Sequence, residues 1–166
     1  MNYKVAVITL SDSAARGERE DTSGPLIEEM LTPEGFTVVG CHLLPDDPEA
    51  LSALLRELCD GGRADLILTT GGTGLSPRDH TPEATLAVIE RNVPGISEAM
   101  RAASLKITPR AMLSRGVSGI RGRTLIVNLP GSPKAVRENL EVILPTLPHA
   151  LAILTDREHN CARHTR

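Results

Sequence analysis

One short stretch of this sequence combines glycines and hydroxyls in the way that phosphate sites require. The stretch TTGGTGLSPRD, residues 69–79, follows an apolar run with the character of a strand. Its candidate phosphate-binding residues are Thr70, Gly71, Gly72, Thr73 and Gly74. Glycines allow a backbone to approach a ligand closely, and threonine hydroxyls donate hydrogen bonds. Because no lysine follows Gly74, and Pro77 replaces the last glycine of the dinucleotide fingerprint, the stretch matches neither common phosphate motif.

Two aspartates near such a loop indicate a metal ion. Asp79 ends the glycine-rich stretch, and Asp46 follows a second apolar run in the segment LLPDDPEA. The neighbouring Asp47 is explained as a helix cap before Pro48, whereas Asp46 has no such structural role. Two carboxylates beside a phosphate would repel it unless a cation lay between them, and Mg²⁺ accepts carboxylate, phosphate and water oxygens. We therefore predict Asp46 and Asp79 as magnesium ligands and as the catalytic residues of phosphoryl or nucleotidyl transfer.

Further loops supply hydroxyls and cations that could complete this site. The candidates are Ser11, Asp12 and Ser13 in the loop 11–25, Arg78 beside Asp79, Ser114 and Arg115 in MLSRG, and Pro130, Gly131, Ser132 and Lys134 in NLPGSPKAV. Alternatives stay open, because polar loops are often mobile surface and surface arginines are often solvated. Lys134, in the first turn of a helix, opposes the helix dipole, so it implies either a bound anion or simple exposure.

The elements that position these loops are short apolar runs that alternate with helical patterns. Four runs predict strands at residues 5–10, 36–44, 65–70 and 124–129. Apolar stripes predict helices at Leu51, Leu54, Leu55 and Leu58, at Ile96, Met100, Ala103 and Ile107, and at Val136, Leu140, Ile143 and Leu144. This alternation indicates an α/β fold, a three-layer sandwich with a mostly parallel central sheet. Extended segments between residues 112 and 129 flank IRGR, where Gly122 favours a tight turn, so a β-hairpin is predicted.

Four predicted helices begin at a proline that follows a capping-type residue. The segments are SGP at 23–25, DP at 47–48, TP at 81–82 and SP at 132–133. Proline suits the first helical position, and Ser, Thr, Asp and Gly suit the cap. Taken singly, each proline is explained by helix initiation alone. Together, the helix N-termini would converge on the sheet edge where open parallel sheets bind ligands, an arrangement suited to an anion with several phosphate groups.

The composition excludes several classes of protein. The 166 residues are 40% hydrophobic and 23% charged, which is typical of one globular domain. A net charge of −3 gives no general attraction to nucleic acid or to an anionic membrane. No apolar run reaches the roughly 18 residues of a membrane span. Tyr3 and Phe36 are the only aromatic residues, so stacking of bases on rows of rings is not expected.

The termini and the cysteines favour a cytoplasmic protein. The N-terminal segment MNYKVAVITLSDS predicts a first strand rather than a secretion signal. The three cysteines are Cys41, Cys59 and Cys161. Their odd number and wide spacing favour reduced thiols. We expect one domain over residues 1–156 and a polar, disordered tail over residues 157–166, in which the spacing of His159, Cys161 and His164 matches no particular metal site.

Four segments together resemble the MoaB/Mog family of molybdenum-cofactor biosynthesis. They are TTGGTGLSPRDHTPEAT at 69–85, NLPGSPKAV at 128–136, SDS at 11–13 and LLPD at 43–46, and the resemblance covers residues 3–154. The resemblance implies a molybdopterin-binding fold, assembled as a homotrimer in the cytoplasm. It also implies a molybdopterin adenylyltransferase, whose substrates are ATP and molybdopterin and whose cofactor is Mg²⁺. Such an enzyme places AMP on the terminal phosphate of molybdopterin, releases pyrophosphate, and passes its product to a molybdenum-insertion protein.

The resemblance also implies roles for individual residues. Asp46 and Asp79 fall on the two acidic positions that matter for function in the family, and the glycine loop would hold phosphate. The residues that would line the pterin and phosphate side are Ser13, Ser114, Arg115 and residues 131–134. Two alternatives are a molybdopterin carrier without catalysis and a nucleotide pyrophosphatase of the competence-protein type. The presence of both Asp46 and Asp79 favours the transferase over the carrier, because a carrier does not need a magnesium pair.

Overall fold

The computed structural model describes residues 2–156 and contains a six-stranded central sheet. The strands are β1 (Tyr3–Leu10), β2 (Phe36–Leu44), β3 (Leu66–Thr70), β4 (Arg91–Asn92), β5 (Ser118–Arg121) and β6 (Thr124–Leu129). Their order across the sheet is β2-β1-β3-β6-β5-β4. The first four strands in this order are parallel, whereas β5 runs antiparallel to both β6 and β4. The four predicted strands and the hairpin at Gly122 are therefore confirmed.

Helices cover both faces of the sheet. They are α1 (Asp12–Ala15), α2 (Ser23–Leu31), α3 (Pro48–Asp60), α4 (Thr81–Leu86), α5 (Pro94–Leu105), α6 (Pro133–Ile143) and α7 (Leu147–Leu154), with 3-10 turns at Thr32–Glu34 and Pro109–Leu113. On one face, α2, α5, α6 and α7 contribute to a core that includes Ile27, Met100 and Leu140. On the other face, α3 and α4 contribute Leu55 and Ala84 to a second core. The predicted three-layer sandwich is confirmed.

The inner strands are apolar along their length because both of their faces are covered. All five residues of β3 are buried. In β1, Val5 and Val7 join one core, while Ala6 and Ile8 join the other. The edge strand β2 instead alternates covered and exposed residues. The two cores thus hold four parallel strands in register, so that their carboxyl ends lie along one edge of the sheet.

Two of the four predicted helix caps are confirmed. The carboxylate of Asp47 accepts hydrogen bonds from the backbone N–H groups of Glu49 and Ala50. The hydroxyl of Ser132 accepts one from the N–H of Ala135. In both helices a proline occupies the first turn, as its fixed backbone angle favours. These caps fix where α3 and α6 begin, next to the carboxyl ends of β2 and β6.

Three helix boundaries differ from the prediction. α2 begins earlier than expected, at Ser23, because the carboxylate of Asp21 accepts a hydrogen bond from the N–H of Ser23. α4 begins at Thr81, whose hydroxyl does not cap the helix but donates to the carbonyl of Gly71 at 2.9 Å. Ile107, expected in the apolar stripe of α5, lies beyond the end of that helix and is 55% exposed. The first boundary follows from a local hydrogen bond to Asp21, whereas the second involves Thr81 and Gly71, which are ten residues apart.

Cys41 and Cys59 are free thiols, as the sequence predicts. The predicted tail over residues 157–166, with His159, Cys161 and His164, lies outside the described residues. Over residues 2–156, every helix is too short or too polar to cross a membrane.

Candidate active site

The carboxyl ends of β1, β2 and β3 open into a polar cleft of about 470 Å³. Ten of the predicted site residues line it: Ser11, Asp12, Ser13, Asp46, Thr70, Gly71, Gly72, Asp79, Gly131 and Ser132. They come from loops that are far apart in sequence and that meet because parallel strands end at one edge. The structure thus brings Asp46 and Asp79 to the same cleft.

Asp12 and Asp46 are tied together by reciprocal hydrogen bonds. The N–H of Asp12 donates to Oδ2 of Asp46 at 3.1 Å, and the N–H of Asp46 donates to Oδ1 of Asp12 at 2.9 Å. Next to this pair, the N–H of Ser11 donates to the carbonyl of Leu44 at 2.9 Å, which continues the pairing of β1 and β2 into the loops. The loop after β1 and the loop after β2 are therefore joined, and the carboxylate of Asp46 is held at the wall of the cleft.

The surroundings of Asp46 disfavour its negative charge. Burial raises the pKa of Asp46, and the negative charges of Asp12 and Asp79 raise it further, against the opposing effects of a backbone hydrogen bond and of Arg78. Among residues 2–156, no group of three or more His, Cys, Asp or Glu side chains is arranged to hold a metal by itself. Mg²⁺ commonly takes one or two carboxylates and completes its shell with substrate phosphates and water. Asp46 and Asp79 fit that ligand set, and a cation between them would relieve the repulsion.

The glycine loop after β3 depends on glycine at two successive positions. Gly71 and Gly72 have φ angles of 95° and 69°, in the left-handed region that favours glycine. A Cβ at Gly71 would overlap the carbonyl oxygen of Leu10, and a Cβ at Gly72 would overlap the hydroxyl of Thr81. The loop is thus folded tightly against β1 and α4. This packing leaves the backbone of both glycines in the wall of the cleft.

Asp79 lies at the end of the same loop, in a small turn closed by its own side chain. Its Oδ2 accepts a hydrogen bond from the N–H of Ser76 at 3.0 Å, and its N–H donates to the carbonyl of Ser76 at 2.9 Å. A Cβ on Gly74 would lie 2.9 Å from Oδ2 of Asp79, so the side chain of Asp79 also packs on that glycine. The position of this carboxylate therefore depends on the conformation of the whole loop 74–79.

Arg78 joins this loop to α1 through Asp12. Its Nε and Nη2 donate to the two carboxylate oxygens of Asp12 at 2.9 and 3.0 Å. These hydrogen bonds to Arg78 are the main reason that the pKa of Asp12 is lowered. The Arg78 side chain is 63% exposed, and exposed ion pairs contribute little stability. The guanidinium can therefore exchange its carboxylate partner for a phosphate at small cost.

A second, more apolar cavity of about 290 Å³ adjoins the polar cleft at the glycine loop. Thr73, Gly74, Ser114 and Pro130, predicted as phosphate-binding or substrate-binding residues, line this cavity rather than the cleft. The other lining residues come largely from α5, the turn Pro109–Leu113 and α6. Met100 and Leu113 give it apolar walls, and Arg101 contributes a cation whose Nη1 donates to the carbonyl of Gly116 at 2.8 Å. The predicted site residues are thus divided between two neighbouring cavities.

Three of the predicted site residues, Arg78, Arg115 and Lys134, line neither cavity. The Arg115 guanidinium donates to the carbonyls of Gly74 and Asp79, both at 2.8 Å, and pairs with the carboxylate of Glu83. Lys134 is 81% exposed and lies 3.7 Å from the carboxylate of its helix neighbour Glu138. The sequence left two explanations for Lys134, a bound anion or simple exposure to solvent. The structure shows the side chain exposed.

Asp21 and Ser23 are among the cleft-lining residues that the sequence did not indicate as site residues. Oδ2 of Asp21 accepts a hydrogen bond from the hydroxyl of Thr9 at 2.8 Å, and the hydroxyl of Ser23 donates to the carbonyl of Gly131 at 2.8 Å. A weak signal existed, because an aspartate shortly before Ser-Gly-Pro suits a helix cap. Nothing local in the sequence indicated the contact between Ser23 and Gly131, which are 108 residues apart.

Comparisons with known proteins agree on one family. The family model described as a probable molybdopterin binding domain matches residues 6–149. The molybdopterin adenylyltransferase of Helicobacter pylori strain J99 is 41% identical over 152 residues, which span 90% of this chain and 86% of that protein. The molybdopterin adenylyltransferase of Escherichia coli K12 is 44% identical over 140 residues, 83% of this chain and 72% of that protein. The crystal structure of the molybdopterin biosynthesis enzyme MoaB from Thermus thermophilus matches with a TM-score of 0.88 and 53% identity, covering 93% of this chain and 97% of that chain.

Proposed function

We propose that this chain, which belongs to the MoaB/Mog family of molybdenum-cofactor biosynthesis, is a molybdopterin adenylyltransferase. One observation carries the proposal beyond family membership. The partly buried carboxylate of Asp46 is placed next to the negative charges of Asp12 and Asp79, beside a glycine loop whose backbone faces the same cleft. A cleft that concentrates carboxylates and phosphate-binding groups suits a magnesium triphosphate and its transfer chemistry.

The reaction requires an oxygen nucleophile in line with the α-phosphorus of ATP. The terminal phosphate of molybdopterin is already anionic at neutral pH, so the chain does not need a strong base. An oxygen of that phosphate forms the new bond to the α-phosphorus, the bond to the bridging oxygen breaks, and its electron pair leaves with pyrophosphate. In this proposal the chain holds both phosphates in line in the polar cleft and stabilises the developing charge.

Asp46 and Asp79 would hold Mg²⁺ in this cleft, with the remaining positions taken by phosphate and water oxygens. The ion would supply neutralisation of the triphosphate and of the departing pyrophosphate. The reciprocal hydrogen bonds with Asp12 keep Asp46 in position, and the turn at Ser76 keeps Asp79 in position. Arg78 would leave Asp12 for a phosphate oxygen when the triphosphate binds.

The apolar cavity beside the cleft would take the pterin ring. Its walls combine Met100 and Leu113 with the hydroxyl of Ser114, which suits a flat heterocycle with polar edges. Because the cavity meets the cleft at the glycine loop, a ring bound there would direct its phosphate toward Asp46 and Asp79. Residues 2–156 contain one tyrosine, one phenylalanine and no tryptophan, so the adenine base would be held by aliphatic walls and backbone groups.

Family membership also supports a homotrimer that acts in the cytoplasm and passes its product to a molybdenum-insertion protein. The trimer has a direct test. One chain has a mass of 17.7 kDa, so sedimentation equilibrium should give about three times that mass. A monomer at micromolar concentration would refute the trimer without affecting the proposed chemistry.

The proposed reaction is tested by incubating the protein with molybdopterin, MgCl₂ and ATP labelled at the α-phosphate. We expect the label on the pterin phosphate and one pyrophosphate per transfer, with no transfer after removal of Mg²⁺ by EDTA. Tight binding of molybdopterin without transfer would instead indicate a carrier. Hydrolysis of a dinucleotide without transfer would indicate a pyrophosphatase.

A further inference from the structure

Arg115 is the most extensively bonded arginine beside the proposed site, yet its guanidinium does not line the cleft. Each of its three nitrogens has an acceptor within the protein. Nε donates to the carbonyl of Gly74, Nη2 donates to the carbonyl of Asp79, and Nη1 pairs with the carboxylate of Glu83. The backbone N–H of Arg115 also donates to the carbonyl of Thr73 at 2.9 Å. These contacts occupy three of the five N–H donors of the guanidinium and direct it toward the protein.

The two carbonyls that Arg115 binds lie at the two ends of the loop that carries Asp79. Between them, the side chains of Leu75, Ser76 and Arg78 are exposed. Inside the loop, the turn at Ser76 depends on two hydrogen bonds with Asp79. The planar guanidinium therefore holds the start and the end of this loop at a fixed separation, in addition to the pairing of Arg78 with Asp12.

The segment that carries Arg115 is itself anchored. Nη1 of Arg101 in α5 donates to the carbonyl of Gly116 at 2.8 Å and to that of Ser114 at 3.4 Å. The N–H of Val117 donates to Oδ1 of Asn128 in β6 at 3.1 Å. Arg115 thus extends from a segment fixed to the helix layer and the sheet, and it can act as a rigid support for the loop.

We propose that Arg115 is a positioning residue that holds the Asp79 carboxylate at the cleft by binding the carbonyls of Gly74 and Asp79, rather than a phosphate ligand. The proposal rests on the proposed adenylyl transfer for its kinetic consequence. Binding two carbonyls and a carboxylate at once requires the several N–H donors of a planar guanidinium, and the single ammonium group of lysine cannot replace them. Lysine would, however, retain the charge that a phosphate ligand needs.

The test is the variant Arg115→Lys, with Arg121→Lys as a matched control. The guanidinium of Arg121 likewise binds a carboxylate and a backbone carbonyl, those of Asp60 and Val88, but in another part of the molecule. Hydrogen exchange of the segment 73–80 and steady-state kinetics are measured for both variants. For Arg115→Lys we expect exchange at the amides of Ser76 and Asp79 to be about 10- to 100-fold faster, because a charge-assisted hydrogen bond is lost. We also expect kcat to fall about 10- to 100-fold, while KM for ATP changes less than about threefold.

Arg121→Lys should leave exchange in segment 73–80 and both kinetic constants within about twofold of the wild type. A rise in KM for ATP in Arg115→Lys, with kcat and loop exchange unchanged, would identify Arg115 as a phosphate ligand and overturn the proposal. Unchanged exchange and kinetics would overturn it as well. If the wild-type protein shows no adenylyl transfer, the proposed function fails, whereas the exchange measurement still tests the positioning role.

Discussion

The polar cleft and the apolar cavity lie side by side at one edge of the sheet but are built from opposite kinds of residue. The cleft is formed largely by loops at the ends of the parallel strands, and charged residues line it, among them Asp12, Asp46 and Asp79. The cavity is formed by helices, and its walls include Met100 and Leu113. In the proposed function this difference separates two tasks, because charged phosphates would bind in the cleft whereas a ring is desolvated more easily in the cavity. Substitutions in the cleft should therefore alter turnover, and substitutions in the cavity should alter affinity for the ring.

The largest expected effect follows loss of either cleft carboxylate. Asp46→Asn and Asp79→Asn keep the size of the side chain but remove the charge, so each should lower kcat for AMP transfer about 100- to 1,000-fold. Molybdopterin affinity, measured by fluorescence titration, should stay within about threefold of the wild type because the cavity is intact.

Asp47→Asn is the matched control for these variants. Asp47 is adjacent to Asp46 but caps α3, and asparagine performs that role equally well. Its kcat should remain within about twofold of the wild type. Full activity in both Asp46→Asn and Asp79→Asn would refute the magnesium site, and an equal loss in Asp47→Asn would show that general loss of negative charge is responsible.

The next largest effect is expected from substitution of a glycine in the loop between the two cavities, and it concerns the stability of the fold. Gly72→Ala places a methyl group against the hydroxyl of Thr81 in a left-handed conformation, so we expect a loss of about 2–4 kcal/mol in the free energy of unfolding. Gly122→Ala in the hairpin has the same kind of φ angle, 56°, but no atom within 4 Å of the added Cβ. It should cost only about 1 kcal/mol. Urea denaturation of both variants measures the difference, and equal losses would show that close packing of the loop contributes nothing.

Filling the apolar cavity should weaken binding of the ring. Ala135 lines the cavity from α6, and Ala135→Leu would occupy part of its 290 Å³. We expect Kd for molybdopterin to rise about tenfold, with little change in KM for ATP. Ala99→Leu, on the exposed face of α5, is the control and should change neither constant. An increase in KM for ATP alone in Ala135→Leu would mean that the cavity holds adenine instead of pterin.

Lys134→Ala should have the smallest effect. Its ammonium group is 81% exposed, lines neither the cleft nor the apolar cavity, and pairs with Glu138 at 3.7 Å, so kcat and KM should each stay within about twofold of the wild type. A tenfold rise in KM for ATP would show that Lys134 reaches the phosphates during turnover.

The sequence predicted the architecture well because apolar runs and helical spacing are local signals. The strands, the hairpin at Gly122 and the caps at Asp47 and Ser132 all rest on such signals. It did not predict that Arg115 binds carbonyls or that Thr81 binds the carbonyl of Gly71. Those contacts depend on how loops pack after the sheet has formed, and the residue types alone do not encode them.

The most direct test of the division between cleft and cavity is a crystal structure with Mg²⁺, molybdopterin and α,β-methylene-ATP, which cannot react. We expect Mg²⁺ between the carboxylates of Asp46 and Asp79, the α-phosphate against the glycine loop, and the pterin ring between Met100 and Ser114. A triphosphate bound without a metal near these aspartates, or a pterin ring bound in the polar cleft, would refute this division.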